Sequence, residues 1–270
     1  MSSKSKHRTI VYVHIQKTCG TSIHEIVKQC PDWTIWRRRP QTNTTPNFIT
    51  GHIPYGIHND WGMCQQFIYA TFIRDPIDRW KSMFYHALAK KNPLFHRLLE
   101  VVIDKKLSTD YKTLSKMDIT VFLQWCFRTE TNCNIMCKQL SGIENIRNTQ
   151  RWFSHNVPDQ DFGFPQVYAW SGRHILTSEY DLRLMLNRAL QNLKHTFDFV
   201  GLQANGDADQ LRFCEQYDIP VPDDAPYRAT TSPRFNEEEW FGNTNRQLLS
   251  QINKFDIALY SNYLNFVGSK

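Results

Sequence analysis

Three runs along the chain are apolar or β-branched at nearly every position: TIVYVHI (Thr9 to Ile15), FIYATFI (Phe67 to Ile73) and FDFVG (Phe197 to Gly201). Such runs lack the alternation of a half-exposed strand, so they predict strands buried on both faces. Shorter strand-like stretches occur at Trp33 to Trp36 and His174 to Thr177. Between them the apolar positions recur at helical spacing: from Thr21, over much of Ile77 to Phe127, from Asp181 to about Lys194, and from Asn243 to Phe266. In that last segment Leu248, Ile252, Phe255 and Leu259 are expected to face one way. The segment MCKQLSG, residues 136 to 142, reads as a helix closed by a stop glycine. Strands alternating with helices predict an α/β fold, a central parallel β-sheet covered by helices on both faces. No repeat or low-complexity tract interrupts it. One domain over residues 1–270 is expected, entered through a flexible basic stretch, residues 1–8.

Two of the predicted strand ends carry chemistry. The first strand gives way to Gln16–Lys17–Thr18–Cys19–Gly20 and then to a helix from Thr21. A helix N-terminus leaves backbone N–H groups unpaired and carries the positive end of the helix dipole, a ready site for an anion. Lys17 adds a charge, and Thr18, Thr21 and Ser22 add hydroxyls, so the loop suits a phosphate or sulfate. It is not the nucleoside-triphosphatase loop, because here the lysine precedes the glycine and no earlier glycine precedes the lysine. The second strand ends in Arg74–Asp75–Pro76, with Pro76 suited to the first helical turn. Arg74 therefore lies at a strand's carboxyl end, where open α/β sheets place ligands. Ser82 follows about two turns into that helix. A guanidinium fork and a neutral hydroxyl form a second phosphate-binding pair.

Composition changes this picture little. With 270 residues the chain can bury a substantial core, and its net charge of +6 is modest. The basic excess is partly local, in Lys4, Lys6, His7 and Arg8 and again in Arg37, Arg38 and Arg39. That balance suits an anionic cofactor or substrate; no nucleic-acid partner is expected. The seven cysteines include no pair of CxxC elements. Cys126, Cys133 and Cys137 lie along predicted helices without a zinc ligand set, so free thiols and a reducing compartment are expected. No apolar stretch has the length of a membrane span.

HIQKTCGTS resembles the 5′-phosphosulfate loop of the sulfotransferases that use 3′-phosphoadenylyl sulfate (PAPS). RDPIDRWKS resembles the segment by which that family holds the 3′-phosphate, and Arg79 falls on its second arginine. Within the family the similarity is to carbohydrate enzymes of the heparan sulfate 2-O/6-O type, which carry an H-I-x-K-T-x-G-T loop. Cys19 stands where they often have glycine or alanine. MCKQLSG and TFDFVGL resemble two further family elements, so the resemblance covers most of the chain and is strongest over residues 9–86. It implies a P-loop-like nucleotide-binding fold and sulfuryl transfer from PAPS to a hydroxyl, releasing adenosine 3′,5′-bisphosphate without a metal. Lys17, Thr18, Cys19, Gly20, Thr21, Ser22, Arg74 and Ser82 would hold the nucleotide, Lys17 also stabilising the leaving group. Arg228, in RATTSPR (Arg228 to Arg234), would belong to a lid over it. Such enzymes usually carry a membrane anchor. The expected location is therefore cytoplasmic or otherwise soluble, or the Golgi lumen if an anchor has been removed.

Proton removal from the acceptor calls for a general base, and histidine titrates in the useful range. FITGHIPYGIHNDWG offers His52 and His58. Gly51–His52 resembles the G-H element that supplies the base in several carbohydrate sulfotransferases. His58 resembles the catalytic histidine of a branch with G-L-H-x-D-W. His52 is favoured, with His58 the alternative and a structural role open to each. His14 is expected within the first strand, bracing the phosphate loop. Trp33, Trp36 and Arg37 to Arg39 combine aromatic faces with cations, suited to an acidic saccharide or equally to a core edge beside a solvated run. Two other functions compete: a nucleotide- or glycan-binding module without turnover, and an ATP-dependent kinase. The kinase would need Mg²⁺, for which no carboxylates stand in motif context.

Overall fold

The β-branched and aromatic runs pair into five parallel strands, β1 (Thr9–Val13), β2 (Ile35–Trp36), β3 (Phe48–Gly51), β4 (Phe67–Ile73) and β5 (Phe197–Leu202), in the order β2-β3-β1-β4-β5. The computed structural model describes residues 8–36, 46–63, 66–89, 93–107, 114–129, 132–142, 144, 178–221 and 237–269. The helices are α1 (Gly20–Lys28), α2 (Ile57–Asp60), α3 (Pro76–Leu88), α4 (Pro93–Ile103), α5 (Lys116–Thr129), α6 (Ile135–Ser141), α7 (Glu179–His195), α8 (Asp207–Gln216), α9 (Glu237–Trp240), α10 (Asn243–Ile252) and α11 (Lys254–Gly268). The fold is thus α/β around a parallel sheet, as the pattern predicts. The expected strand at His174 to Thr177 lies outside the described residues, as do residues 1–7, Arg37 to Arg39 and Arg228 to Arg234.

Strand residues alternate between two cores. Ile10, Tyr12, Phe48, Ala70, Phe72 and Phe199 meet α1 and α8 on one face. Val11, Val13, Ile49, Tyr69, Ile73 and Val200 meet α6, α7 and α11 on the other. Both faces are covered, which is why these strands read as continuous apolar runs. Phe197 and Val200 can share a face only because the β4–β5 register shifts between Tyr69 and Ala70. A third cluster contains no strand: α3, α4, α5 and α10 pack on one another around Trp80, Phe84, Phe122 and Phe241.

The tail departs from the expected single stripe. It breaks at Asn253 into α10 and α11, and the stripe divides, Ile252 entering the helical cluster while Phe255 and Leu259 join the sheet core. Fully buried Asn253 holds the corner. Its Nδ2 donates to the Leu249 carbonyl at 2.9 Å, and its Oδ1 accepts from Trp80 Nε1 at 2.9 Å.

Gly201 lies opposite Phe72 in the β4–β5 register. A Cβ there would come 2.4 Å from the Phe72 ring, which is fully buried among Tyr12, Phe199 and Phe213 and has nowhere to move. Gly201→Ala should therefore cost about 1–3 kcal/mol, read as a lower urea midpoint, with partial recovery on adding Phe72→Leu. An unchanged midpoint would mean that the ring has room to yield.

Candidate active site

The carboxyl ends of β1 and β4 lie side by side, because the two strands pair directly from Thr9–Phe67 to Val13–Thr71. Strand order runs in opposite directions on the two sides of β1, and such reversals open the ligand crevice in α/β sheets. Both predicted anion-binding turns lie at this edge.

The turn after β1 is held in a costly conformation. Lys17 and Cys19 both adopt left-handed backbone, at φ 66° and 68°, a cost of roughly 1–2 kcal/mol each for a residue with a Cβ. A turn that alternates hand points successive N–H groups into one concavity, an anion nest. Cys19, the N-cap of α1, offers the first turn no side-chain acceptor. The amides of that turn therefore have no capping side chain from their own helix. Gly20 is needed for close approach: a Cβ there would lie 1.9 Å from the His14 ring. His14 follows β1, one step beyond the strand that was expected to include it, and packs against the loop from below.

Among the loop hydroxyls, Thr18 is fully buried and donates to the Ile15 carbonyl at 2.7 Å, closing the turn. Its hydroxyl hydrogen is therefore engaged within the loop. Ser22 is buried and Thr21 exposed. Burial raises the Cys19 thiol pKa to about 11, so the thiol is neutral at physiological pH.

The turn after β4 is built differently. Asp75 caps α3, accepting from Ile77 N at 2.9 Å and Asp78 N at 3.0 Å, so this helix end is closed. An anion here must be met by side chains. Arg74 Nη1 donates to the Lys17 carbonyl at 3.3 Å, joining the two turns, while its buried Nε has no hydrogen-bond partner. Burial lowers the Arg74 pKa, partly offset by the nearby Asp78 carboxylate, yet an arginine remains charged. Ser82 is buried on α3, one helical turn beyond Arg79.

The two candidate histidines fall in different places. His52 follows β3 at the carboxyl edge, its ring 4.5 Å from that of His14. Its Nδ1 lies 2.8 Å from the His14 carbonyl. A carbonyl only accepts, so Nδ1 carries the hydrogen and Nε2 is the basic nitrogen of the neutral ring. His58 lies near the opposite edge. Its ring packs at a tilt of 39° against Phe67, the first residue of β4, with centroids 4.4 Å apart, and its Nδ1 makes a short hydrogen bond with the Tyr69 hydroxyl. The length of β4 separates Phe67 from Arg74, about 23 Å at strand rise. The structure therefore brings Lys17, Arg74 and His52 to one edge and leaves His58 at the other.

Trp33 and Trp36 are partly buried and pack on opposite cores, an ordinary edge of the sheet. Arg228 is outside the described residues. Among the described residues no group of three or more His, Cys, Asp or Glu could hold a metal, and no helix is long and apolar enough to cross a membrane.

A buried polar network behind Arg74 escaped the sequence reading. Arg79 and Asp256 are both fully buried. The Asp256 carboxylate accepts from Met136 N at 3.1 Å and Cys137 N at 2.8 Å, capping α6 from α11. Asn134, at the α6 N-cap, accepts in return from Phe255 N at 3.0 Å and Asp256 N at 3.2 Å. Arg79 Nη2 donates to the Asn132 carbonyl at 3.4 Å, in the turn that leads into α6. Burial lowers the Arg79 pKa and raises that of Asp256, and in each case the other's charge is the leading opposing influence. One signal was available: Asp256 lies four residues after Ile252 and three before Leu259, a carboxylate beside an apolar stripe.

His58 has a testable signature. Burial lowers its pKa, so below the unfolded value of about 6.5 the unfolded chain takes up the proton first. Stability is then lost as pH falls through that window, and is retained above it. His58→Gln should lose less stability than wild type between pH 7 and 5 in urea titrations. Equal losses would place the imidazole in a water-like setting.

A search of curated proteins found no match. Residues 4–263 match the model of the sulfotransferase family. Nearly the whole chain is covered, with both candidate anion-binding turns inside the match, and the protein belongs to the sulfotransferase family.

Proposed function

We propose that the protein moves the sulfuryl group of PAPS to a hydroxyl of a carbohydrate acceptor, in the manner of the heparan sulfate 2-O/6-O enzymes. The observation that carries this reading is the Arg74–Lys17 hydrogen bond, which couples two anion-binding turns at adjacent strand ends. A nucleotide with a phosphate at each end of its ribose needs such a pair. The open α1 terminus, with Lys17, Cys19, Gly20, Thr21 and Ser22, receives the 5′-phosphosulfate, while Thr18 closes the turn beneath it. Arg74 and Ser82 receive the 3′-phosphate, and the buried Arg74 Nε is a donor in need of an acceptor.

In the reaction the acceptor oxygen forms a bond to sulfur as the bond from sulfur to the bridging oxygen breaks, and adenosine 3′,5′-bisphosphate leaves. Charge grows on the bridging oxygen, so positioning and fixed positive charge should dominate catalysis. Lys17 and the α1 amides supply that charge. His52 Nε2 takes the acceptor proton, its ring oriented by Nδ1–H donation to the His14 carbonyl. No step requires a metal.

Adenosine 3′,5′-bisphosphate should raise the melting temperature far more than ATP or ADP with Mg²⁺, and labelled sulfate should pass from PAPS to glycans in a panel of acceptors. His52→Ala should lower kcat about 10²–10⁴-fold while the bisphosphate shift persists, and His58→Ala should retain turnover. Full activity in His52→Ala, or a protein stabilised by ATP and indifferent to the bisphosphate, would overturn the proposal.

A further inference from the structure

Arg79 is the most deeply buried charge on α3, the helix that also carries Ser82 and follows Arg74. Its hydrogen bond goes to a backbone carbonyl: Nη2 donates to Asn132, while Nε and Nη1 are buried without hydrogen-bond partners. A guanidinium in such a position is expensive unless a carboxylate balances it. A fully buried carboxylate, Asp256, enters from the far end of the chain and meets Arg79 through the 132–137 segment, to which both side chains bind, and not by a direct ion pair. Both Asp256 oxygens are occupied by the α6 amides, and its own N–H is held by Asn134, so the carboxylate cannot move to meet Arg79. The Arg79 side chain is thereby tethered to a rigid corner made of the 132–134 turn, α6 and α11. Arg79 and Ser82 are three residues apart on one helix and share a face, so the seat of one sets the rotation that presents the other.

We infer that Arg79 and Asp256 form a positioning pair for the 3′-phosphate subsite, through which the C-terminal helix α11 sets the orientation of α3 and hence the placement of Arg74 and Ser82. Neither residue touches the nucleotide. The pair makes discrimination between a 3′-phosphorylated and an unphosphorylated ribose depend on a helix that begins 175 residues after Arg79 in the chain. This inference rests on the nucleotide reading above.

Calorimetric titration of wild type, Arg79→Lys, Asp256→Asn and the double variant tests it, with adenosine 3′,5′-bisphosphate and adenosine 5′-monophosphate as the two probes. Arg79→Lys keeps the charge but loses the fork; Asp256→Asn keeps one acceptor but loses the charge. Each single variant should weaken bisphosphate binding about tenfold, the equivalent of one charge-assisted hydrogen bond, and leave monophosphate binding unchanged. The double variant should be no worse than the weaker single one, because both act through the same seat. Unchanged bisphosphate affinity in the folded variants, equal losses for both probes, or additive losses would overturn the inference. If Asp256→Asn does not fold, the ratio of the two affinities in Arg79→Lys decides alone. Wild-type protein that ignores the bisphosphate would instead remove the proposed function; wild-type binding with unaltered variants removes only the positioning pair.

Discussion

The parallel pairing of β1 with β4 is the constraint on which the candidate site depends. It brings two strand ends, distant in the chain, close enough for Arg74 to donate to the Lys17 carbonyl. Every hydrogen bond of that ladder works against lateral movement of one turn relative to the other. The aromatic layer beneath it, with Tyr12, Phe72, Phe199 and Phe213 in mutual ring contact, resists the same displacement through packing. Gly201 belongs to this layer, because only a residue without a side chain lets Phe72 cross the neighbouring strand.

The two candidate anion-binding turns are built in opposite ways. The α1 terminus is left without a side-chain cap, and its loop holds two non-glycine residues in left-handed backbone. Strain of that kind persists only where the surroundings enforce it, and it clusters at functional sites. Here the enforcement is visible in the Thr18–Ile15 bond and in the His14 ring lying against Gly20. The α3 terminus, by contrast, is closed by Asp75, and its positive charge comes from side chains instead. An anion bridging the two edges would meet backbone dipoles at one end and a guanidinium at the other.

Behind the edge, the reciprocal caps of α6 and α11 tie the helical cluster to the sheet. Asp256 and Asn134 exchange backbone partners across that junction, and Asn253 fixes the corner between α10 and α11 while holding Trp80 of α3. These are buried polar contacts, whose loss is costly because no water replaces them. The C-terminal segment therefore braces α3 as well as covering the sheet.

Much of this could be read from local patterns. The strands at Thr9, Phe67 and Phe197, the α/β class and the two turns were legible because continuous apolar runs, a capping Asp-Pro and a Lys-Thr-Cys-Gly loop obey short-range rules. The helix break at Asn253 was not, since Ile252 and Phe255 fit a single stripe until tertiary packing sends them into different cores. Nor was the separation of His52 from His58. The two lie six residues apart in the chain, but α2 carries the second to the start of β4, where Phe67 and Tyr69 enclose it. Residue types and their spacing determined which groups could bind an anion. Strand register and burial decided which of them meet, because proximity between distant segments is set by the pairing of whole elements and not by any local preference.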